Sequence, residues 1–536
     1  LTDMETAVKS FSIDLINERD LHSDGFEIEP EITILLSKTG ADIHEIPIKY
    51  KARSKNEGKK ISFKDLDILS AHFASFLYDL GLKKGDRMIC QIDKSLSALG
   101  LYLGCLRLGV IYTPLNTSYT NDEVKYFIQN IEPKLYVGKP KLNDDLEDIC
   151  AKFGVPFFKT IGTSDNDPVL IEILSMDPLN IFENCNEQDI AAILFTSGTT
   201  GKSKGAMITH SNLSSNALAL REIWGFTGKD VLLHALPIFH VHGLFVALNT
   251  ALLSASKIIF LEKFNIEDVI KNLSKSTVMM GVPTYYNRLV NEEVFSEKTY
   301  KNMRLFISGS APLTEKTFRE FKKKTSHSIL ERYGMTETGM ITSNPLNGDR
   351  IEGTVGFPLP GIKIRATKEG KILPENEKGI IEVKGPNVFI GYWGMKEKTE
   401  EEFTEDDFFI TGDIGQIDKN GRLTLSGRLS DMIISGGYNV YPKEIEIILN
   451  TIQGIKESAI IGVKHPDLGE SPIAVLVRDS KVSKISDNDI IEVLNRKLAK
   501  FKIPKSIIWI DKLPINAMGK VQKKNLRIKY EKILLW

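Results

Sequence analysis

Apolar residues along this chain recur with two periods, and the switches between the periods mark out its elements. Phe73, Leu77 and Leu80, with Ala71 beside them, fall at helical spacing and stop at Gly81 and again at Gly85. Residues 86–91 then read as a strand, 96–108 as an apolar helix and 110–115 as a second strand, and 121–131 with 134–137 repeats the unit. Strands alternating with helices predict a largely parallel sheet. Residues 60–63 read as a strand end that could pair with 46–50 as a hairpin. Farther on, the run Ile-Ala-Ala-Ile-Leu-Phe at 190–195 has the length and flavour of a buried strand, and 206–209 reads as another. A helix is credible only from Ser211 and Asn212, where capping side chains precede apolar residues. Later strands enter loops rich in chemistry: 232–234 runs into a Pro-punctuated loop, 277–281 passes through Pro283 into a helix, and 304–308 ends in a small-residue turn. Past Pro358, short alternating strands between Gly, Asn and Pro turns predict a small β-barrel-like subdomain. The last hundred or so residues read strand, strand, helix, strand, helix.

The break in this pattern that carries most chemistry lies between 195 and 206. Thr196, Ser197, Gly198, Thr199, Thr200, Gly201, Lys202, Ser203, Lys204 and Gly205 hold three glycines and five hydroxyls within ten residues. Such a stretch offers backbone N–H groups, O–H donors and freedom for φ > 0, and its lysines add positive charge, as a polyphosphate cradle requires. A Walker A loop needs four residues between its glycines and a helix directly after. Here Gly198 and Gly201 are two residues apart and a strand follows, so a P-loop NTPase is disfavoured.

Composition then narrows the setting. At 536 residues the chain predicts two or three domains, and 42% hydrophobic with 26% charged residues is ordinary for a globular protein. A net charge of −1 gives no general field for nucleic acid or membrane, so binding must be local. Cys90, Cys105, Cys150 and Cys185 are scattered, without a C-x-x-C pair, which favours reduced thiols over a disulfide frame or zinc site. No apolar run reaches the roughly 18 residues of a membrane span, and the expected location is the cytoplasm. Small-molecule substrates and a monomer or weak homodimer are the expected partners.

Other stretches carry candidate groups. Glu331-Arg-Tyr333-Gly334-Met335-Thr336-Glu337 offers an aromatic for an adenine ring and oxygen donors for phosphate and magnesium. The turn Ser308-Gly309-Ser310-Ala311 lets a flat ring lie against backbone. His240 and His242 alternate and would share a face if extended. Gly436 and Gly437 before Tyr438 make a turn with little side-chain bulk, and Lys520 follows Gly519 on a late loop.

The string Thr-Ser-Gly-Thr-Thr-Gly at 196–201, completed by Lys204 and Gly205, resembles the signature of the adenylate-forming superfamily of acyl-CoA synthetases, luciferases and peptide-synthetase adenylation domains. The resemblance runs over about residues 61–536. Within it, residues 234–245, 280–289, 305–313 and 384–389 look like the malonyl-CoA synthetases. The resemblance implies an α/β fold with a large adenylation domain over 61–429 and a mobile α+β C-terminal domain over 430–536, pivoting at Ser430, where the family usually has Asp or Lys. It further implies that Lys520, Thr336, Glu337 and His240 take part in catalysis. ATP or AMP would be held by Thr196, Ser197, Gly198, Thr199, Thr200, Gly201, Lys204, Gly309, Ser310, Ala311, Glu331, Tyr333, Gly334, Asp413 and Arg428, with Thr200 and Glu337 toward Mg²⁺. CoA would pass Gly436, Gly437 and Tyr438. The acid would meet His242, Ser308 and Met335, and a second carboxylate would need a buried cation, for which Arg288 is the candidate. The expected activity is ATP-dependent ligation of a small dicarboxylic acid, malonate or methylmalonate, to CoA; a medium-chain or aryl acyl-CoA synthetase is the alternative within the class.

Residues 1–60 resemble instead the tail of a family-2 polyprenyl-phosphate glycosyltransferase, without its nucleotide-sugar half. Together with the initial Leu, that mosaic suggests a truncated or fused reading frame and a non-catalytic segment. Glycosyl transfer is accordingly disfavoured.

Overall fold

The computed structural model describes residues 60–140, 145–180, 182–197, 203–479, 482, 485–516 and 519–534. Chain contacts separate a compact unit beginning at Ser62 from the residues before it. The glycosyltransferase-like segment and its proposed strand 46–50 lie outside the described residues. The other half of that hairpin does not form: Phe63–Asp79 is a helix, and Ser62 is its N-cap. The Ser62 hydroxyl accepts from Asp65 N at 3.1 Å while Asp65 Oδ2 accepts from Ser62 N at 2.7 Å, a capping box that commits this segment to a helix.

The predicted βα units stack into a six-stranded sheet. Its order is Phe157–Thr160, Leu135–Gly138, Arg87–Gln91, Ile111–Pro114, Ile190–Ser197, Ser203–Thr209, parallel throughout except the last pair. Helix Leu96–Leu108 is apolar nearly all round because it is buried nearly all round. Phe73 presses against it where Gly100 leaves room; a Cβ there would lie 2.4 Å from the ring.

A second sheet of seven strands runs Phe357–Pro358, Gly339–Ser343, Leu330–Met335, Leu305–Ser308, Val278–Gly281, Val231–His234, Lys257–Phe260. Its five central and last strands are parallel, and four-residue strands such as Leu305–Ser308 and Val278–Gly281 are buried at every position. Their carboxyl ends, at His234, Gly281 and Ser308, come to one side of the sheet, where ligands of parallel sheets bind.

The β-rich subdomain expected after Pro358 is an antiparallel sheet, Lys371–Ile372, Lys363–Lys368, Gly379–Lys384, Phe409–Ile417, Leu423–Arg428, whose edge strands are not paired to each other. It is therefore an open sheet. The short 3-10 turn Leu429–Asp431 leads into the last domain, where Tyr438–Val440, Ile433–Ser435, Gly469–Arg478 and Ile455–His465 form a sheet joined in parallel by Ile507–Ile510. No helix among the described residues is long and apolar enough to cross a membrane, and all four cysteines are free.

Candidate active site

The phosphate-loop strands pair as a hairpin, with Thr196 opposite Lys204 and Ser197 opposite Ser203. The loop joins two strands, as its spacing predicts; Gly198, Thr199, Thr200, Gly201 and Lys202 lie outside the described residues. Thr209 caps helix His210–Ile223, one residue earlier than expected. Lys204 is held at the hairpin base by Glu402 Oε1 at 2.7 Å and lies 4.0 Å from the Tyr392 ring centroid. The Tyr392 hydroxyl donates to Glu402 Oε2 at 2.7 Å and reaches Glu337 Oε1 at 3.1 Å. Thr196 Oγ1 donates to the same Glu337 oxygen at 3.2 Å. One network thus ties the loop's lysine to Glu337, and neither Tyr392 nor Glu402 was singled out in the sequence, because they sit in the β-rich subdomain far along the chain.

A second cluster is built on Asp413. Tyr333, from strand Leu330–Met335, and Arg428, from strand Leu423–Arg428, hold its two oxygens, and Arg428 Nη1 also donates to Thr411 O at 3.1 Å. Tyr333 is buried beside this carboxylate, and both effects raise its phenol pKa. Glu331, two residues before Tyr333 on the same strand, accepts weakly from Leu313 N at 3.5 Å, and its burial pushes the carboxyl up to about 7.

Lys520 sits at the tip of a tight turn: Asn516 Oδ1 accepts from its N–H at 3.0 Å and Lys520 O accepts from Asn516 N at 2.9 Å. The adjacent Gly519 packs on Thr284 at the start of helix Pro283–Asn291; a Cβ on it would be 3.2 Å from that threonine. The Lys520 side chain is open to the cleft by area yet crowded by protein, and Arg428, Asp413, Asp431 and Glu337 all act on its charge. Crowding, reinforced by Arg428, lowers its pKa in spite of the carboxylates. The lysine of the last domain, the Asp413 carboxylate and the Glu337 network therefore converge.

The histidines behave differently from the extended reading. Val241 is helical and His242 opens a π-helix, His242–Leu248, so His240 and His242 do not alternate across a strand. The chain doubles back because Gly243 lies against the Pro237 carbonyl; a Cβ would be 2.0 Å from that oxygen. His242 Nδ1 meets Ser310 Oγ at 3.1 Å, beside Ser308. His240 packs on Phe239, and burial lowers it to about 4, so it is neutral at working pH. Ser310 takes φ +70°, an unusual value that turns the chain sharply after Gly309. Thr336 and Met335 follow at the half-buried end of their strand.

Arg288 does not supply the buried cation expected of it. It is exposed on its helix, 5.7 Å from the Phe264 ring centroid, because Tyr285 and Phe264 stack at 3.8 Å and fill the space beneath. The buried cation here is Arg332, 4% exposed. Its signal in the sequence was a charge at the centre of an otherwise buried strand.

Gly436 and Gly437, at φ +56° and +83°, form the turn between strands Ile433–Ser435 and Tyr438–Val440. Exposed Tyr438 stacks on Phe501 at 4.6 Å. Ser430 is exposed in the interdomain turn.

Residues 45–393 match the AMP-binding enzyme family and 444–520 match the AMP-binding enzyme C-terminal domain. The first match starts inside the segment that resembles a glycosyltransferase tail, and nothing in these comparisons supports that likeness. A malonate–CoA ligase of Arabidopsis thaliana is 34% identical over 479 residues, 83% of this chain and 78% of that protein. The crystal structure of ATP-bound MatB from Rhodopseudomonas palustris superposes with a TM-score of 0.87 at 49% identity, over 89% of this chain and 95% of that one. The apo structure of that protein gives 0.76 over the same shares. The chain belongs to the AMP-binding enzyme family. Its two matched domains and its relatives make it an AMP-forming acid–thiol ligase.

Proposed function

We propose that this enzyme activates malonate with ATP and transfers the malonyl group to coenzyme A, yielding malonyl-CoA, AMP and pyrophosphate. The observation that carries the reading is the convergence of Lys520 on Asp413 and Arg428, from the β-rich subdomain, and on Glu337, just past the end of strand Leu330–Met335. The likeness to malonate–CoA ligases supports malonate as the acid. We also read the residues as a large domain to Leu429 and a mobile domain from Ser430, with residues before 61 non-catalytic.

A carboxylate is a poor acyl donor because oxide would have to leave, so its oxygen must first become part of a phosphate ester. In the adenylation step a carboxylate oxygen attacks the α-phosphorus, and the bond from that phosphorus to pyrophosphate breaks. Asp413 holds the ribose hydroxyls, Arg428 steadies Asp413, and the Tyr333 ring lies along the adenine. The Lys520 ammonium neutralises charge that grows on the bridging oxygens, which is strongest where water is scarce. Pyrophosphate leaves along the hairpin that carries Thr196 and Lys204. Glu337, a hard oxygen donor, would hold magnesium. When bound, that ion neutralises phosphate charge; Thr200 is its second protein oxygen by resemblance. His240 borders the acyl pocket, and Arg288, one helical turn from Thr284, draws the dianion toward the Lys520 loop.

In the second step the CoA sulfur attacks the acyl carbon, the bond from that carbon to the AMP oxygen breaks, and the thiol proton passes to solvent. Lys520 occupies the approach, so the last domain must turn and present Gly436 and Gly437. Asp431 is ion-paired to Arg527 of the last domain and would travel with it, which supports a pivot at Ser430. Among the described residues the contacts to be broken include the Lys378–Glu444 pair, Lys378 over the Tyr441 ring, Lys443 Nζ to Leu425 O at 3.0 Å, and Gly519 on Thr284. Half-exposed ion pairs contribute little, about 0–1 kcal/mol, so such a turn is accessible.

Acid-dependent exchange of labelled pyrophosphate into ATP tests the reading. Across malonate, methylmalonate, succinate, acetate, butyrate and benzoate, malonate should support the fastest exchange. Exchange driven best by benzoate or butyrate would transfer the assignment to an aryl or medium-chain enzyme.

A further inference from the structure

The Glu402 carboxylate holds two lysines at once. Its Oε1 lies 2.7 Å from Lys204 Nζ and 3.3 Å from Lys398 Nζ, and Oε2 accepts from the Tyr392 hydroxyl at 2.7 Å. Burial disfavours its charge, yet Lys204, Tyr392 and Lys398 together hold the carboxyl below the usual range, so it is ionised at neutral pH. The two lysines differ in setting. Lys204 is 13% exposed at the base of the phosphate-loop hairpin, opposite Thr196, whereas Lys398 is 37% exposed, one helical turn before Glu402. Glu402 itself is fixed by the backbone around it. Trp393 N donates to Gly205 O at 2.8 Å and Met207 N to Gly391 O at 2.9 Å, which stitches the segment carrying Tyr392 onto the hairpin strand. Thr399 Oγ1 then accepts from Tyr392 N at 2.9 Å, drawing in the short helix that ends at Glu402.

Lys204 is held loosely by comparison. Among the described residues its ammonium has one hydrogen-bond acceptor, Glu402 Oε1, and it otherwise faces the Tyr392 ring at 4.0 Å. An ammonium has three donors, so capacity remains for a further acceptor. Nor does Glu402 depend on Lys204. If that lysine withdraws, Lys398 and the Tyr392 hydroxyl stay on the carboxylate, and no uncompensated buried charge results. A polyphosphate carries several negative charges where Glu402 carries one, so it outcompetes a carboxylate for the same ammonium at close range.

We propose that Glu402 is the resting partner of Lys204 in an exchange with the polyphosphate: the ammonium leaves Glu402 for the triphosphate of ATP, Lys398 takes its place, and the Lys204–Glu402 pair re-forms as pyrophosphate departs. Glu402 does not touch substrate. It is a positioning residue that keeps Lys204 at the hairpin base and reclaims it, which lowers the affinity for a product that must leave. The proposal rests on the phosphate-loop reading above and holds whichever acid is activated.

The test is calorimetric titration of the purified protein with magnesium pyrophosphate. Glu402→Gln keeps the shape and removes the competing charge. Pyrophosphate should bind this variant about three- to tenfold more tightly than wild type, and should raise its melting temperature by more. In a Lys204→Met background the same substitution should change binding by less than a factor of about two, because the competition runs through that lysine. A fixed clamp demands the opposite sign: without Glu402 the lysine would be misplaced and pyrophosphate would bind more weakly. Weaker or unchanged binding by Glu402→Gln therefore overturns the exchange, as does a tightening that persists without Lys204. Should Glu402→Gln not fold, Lys398→Met decides. Loss of the stand-in should weaken pyrophosphate binding about two- to fivefold, and unchanged or tighter binding overturns the exchange. A wild-type enzyme that binds no pyrophosphate overturns the phosphate-loop reading and the exchange with it.

Discussion

The Tyr333 hydroxyl donates to Asp413 Oδ2 at 2.5 Å, joining two residues eighty positions apart in the chain. Arg428 Nε meets Oδ1 of the same carboxylate at 2.8 Å. Asp413 is thereby fixed in orientation by both neighbours. In the proposed mechanism Tyr333 serves at once as a ring for the base and a strut for the carboxylate that holds the ribose.

Tyr333→Phe keeps the ring and removes the strut. A hydrogen bond to a charged group contributes about 1.5–3 kcal/mol, so ATP affinity should fall roughly 10- to 100-fold. Calorimetric titration with ATP measures this. Unchanged affinity would show that the strut has no bearing on nucleotide binding.

Glu331 carries a pH dependence of stability. Its carboxyl titrates near 7 in the folded protein against a usual 4.5, because burial disfavours its charge. A raised acid lends stability that is fully present below about 4.5 and is lost as pH rises through about 7. Glu331→Gln lacks that proton equilibrium. Relative to the variant, wild type should therefore lose up to roughly 3 kcal/mol between pH 4.5 and 8, at 1.36 kcal/mol per pKa unit. Melting curves of both proteins across that range check it, and parallel curves would mean that the carboxyl is not strained by burial.

Lys520 is assigned to one half-reaction only. Lys520→Ala should abolish malonate-dependent pyrophosphate exchange yet still convert supplied malonyl-adenylate and CoA to the thioester. Equal loss of both steps would refute the division of labour and, with it, the need for the last domain to turn.

Much of this arrangement was legible in the chain before any coordinates. Helices Leu96–Leu108 and Asn121–Ile131 begin and end where spacing and caps place them, and the loop after Phe195 joins two strands because its glycines are spaced for a turn rather than a helix start. What escaped were relations set by tertiary contact. The Lys204–Glu402–Tyr392–Glu337 network links segments nearly two hundred residues apart, and no local pattern announces it. The π-helix at His242 depends on Gly243 packing against Pro237, which an alternating His-x-His string disguises as a strand. Residues 60–63 read as a strand end that could pair with 46–50, whereas the Ser62–Asp65 capping box commits Phe63 onward to a helix. Arg288 follows strand Val278–Gly281 on a helix, and sequence spacing does not report that it is exposed while Arg332 is buried.

The measurement that bears most directly on the account is product identification in one reaction. Purified protein with ATP, Mg²⁺, CoA and malonate should give malonyl-CoA, AMP and pyrophosphate in equal amounts by mass spectrometry, with no AMP when malonate is left out. Formation of ADP and phosphate, or AMP released at the same rate without malonate, would contradict adenylation of this acid.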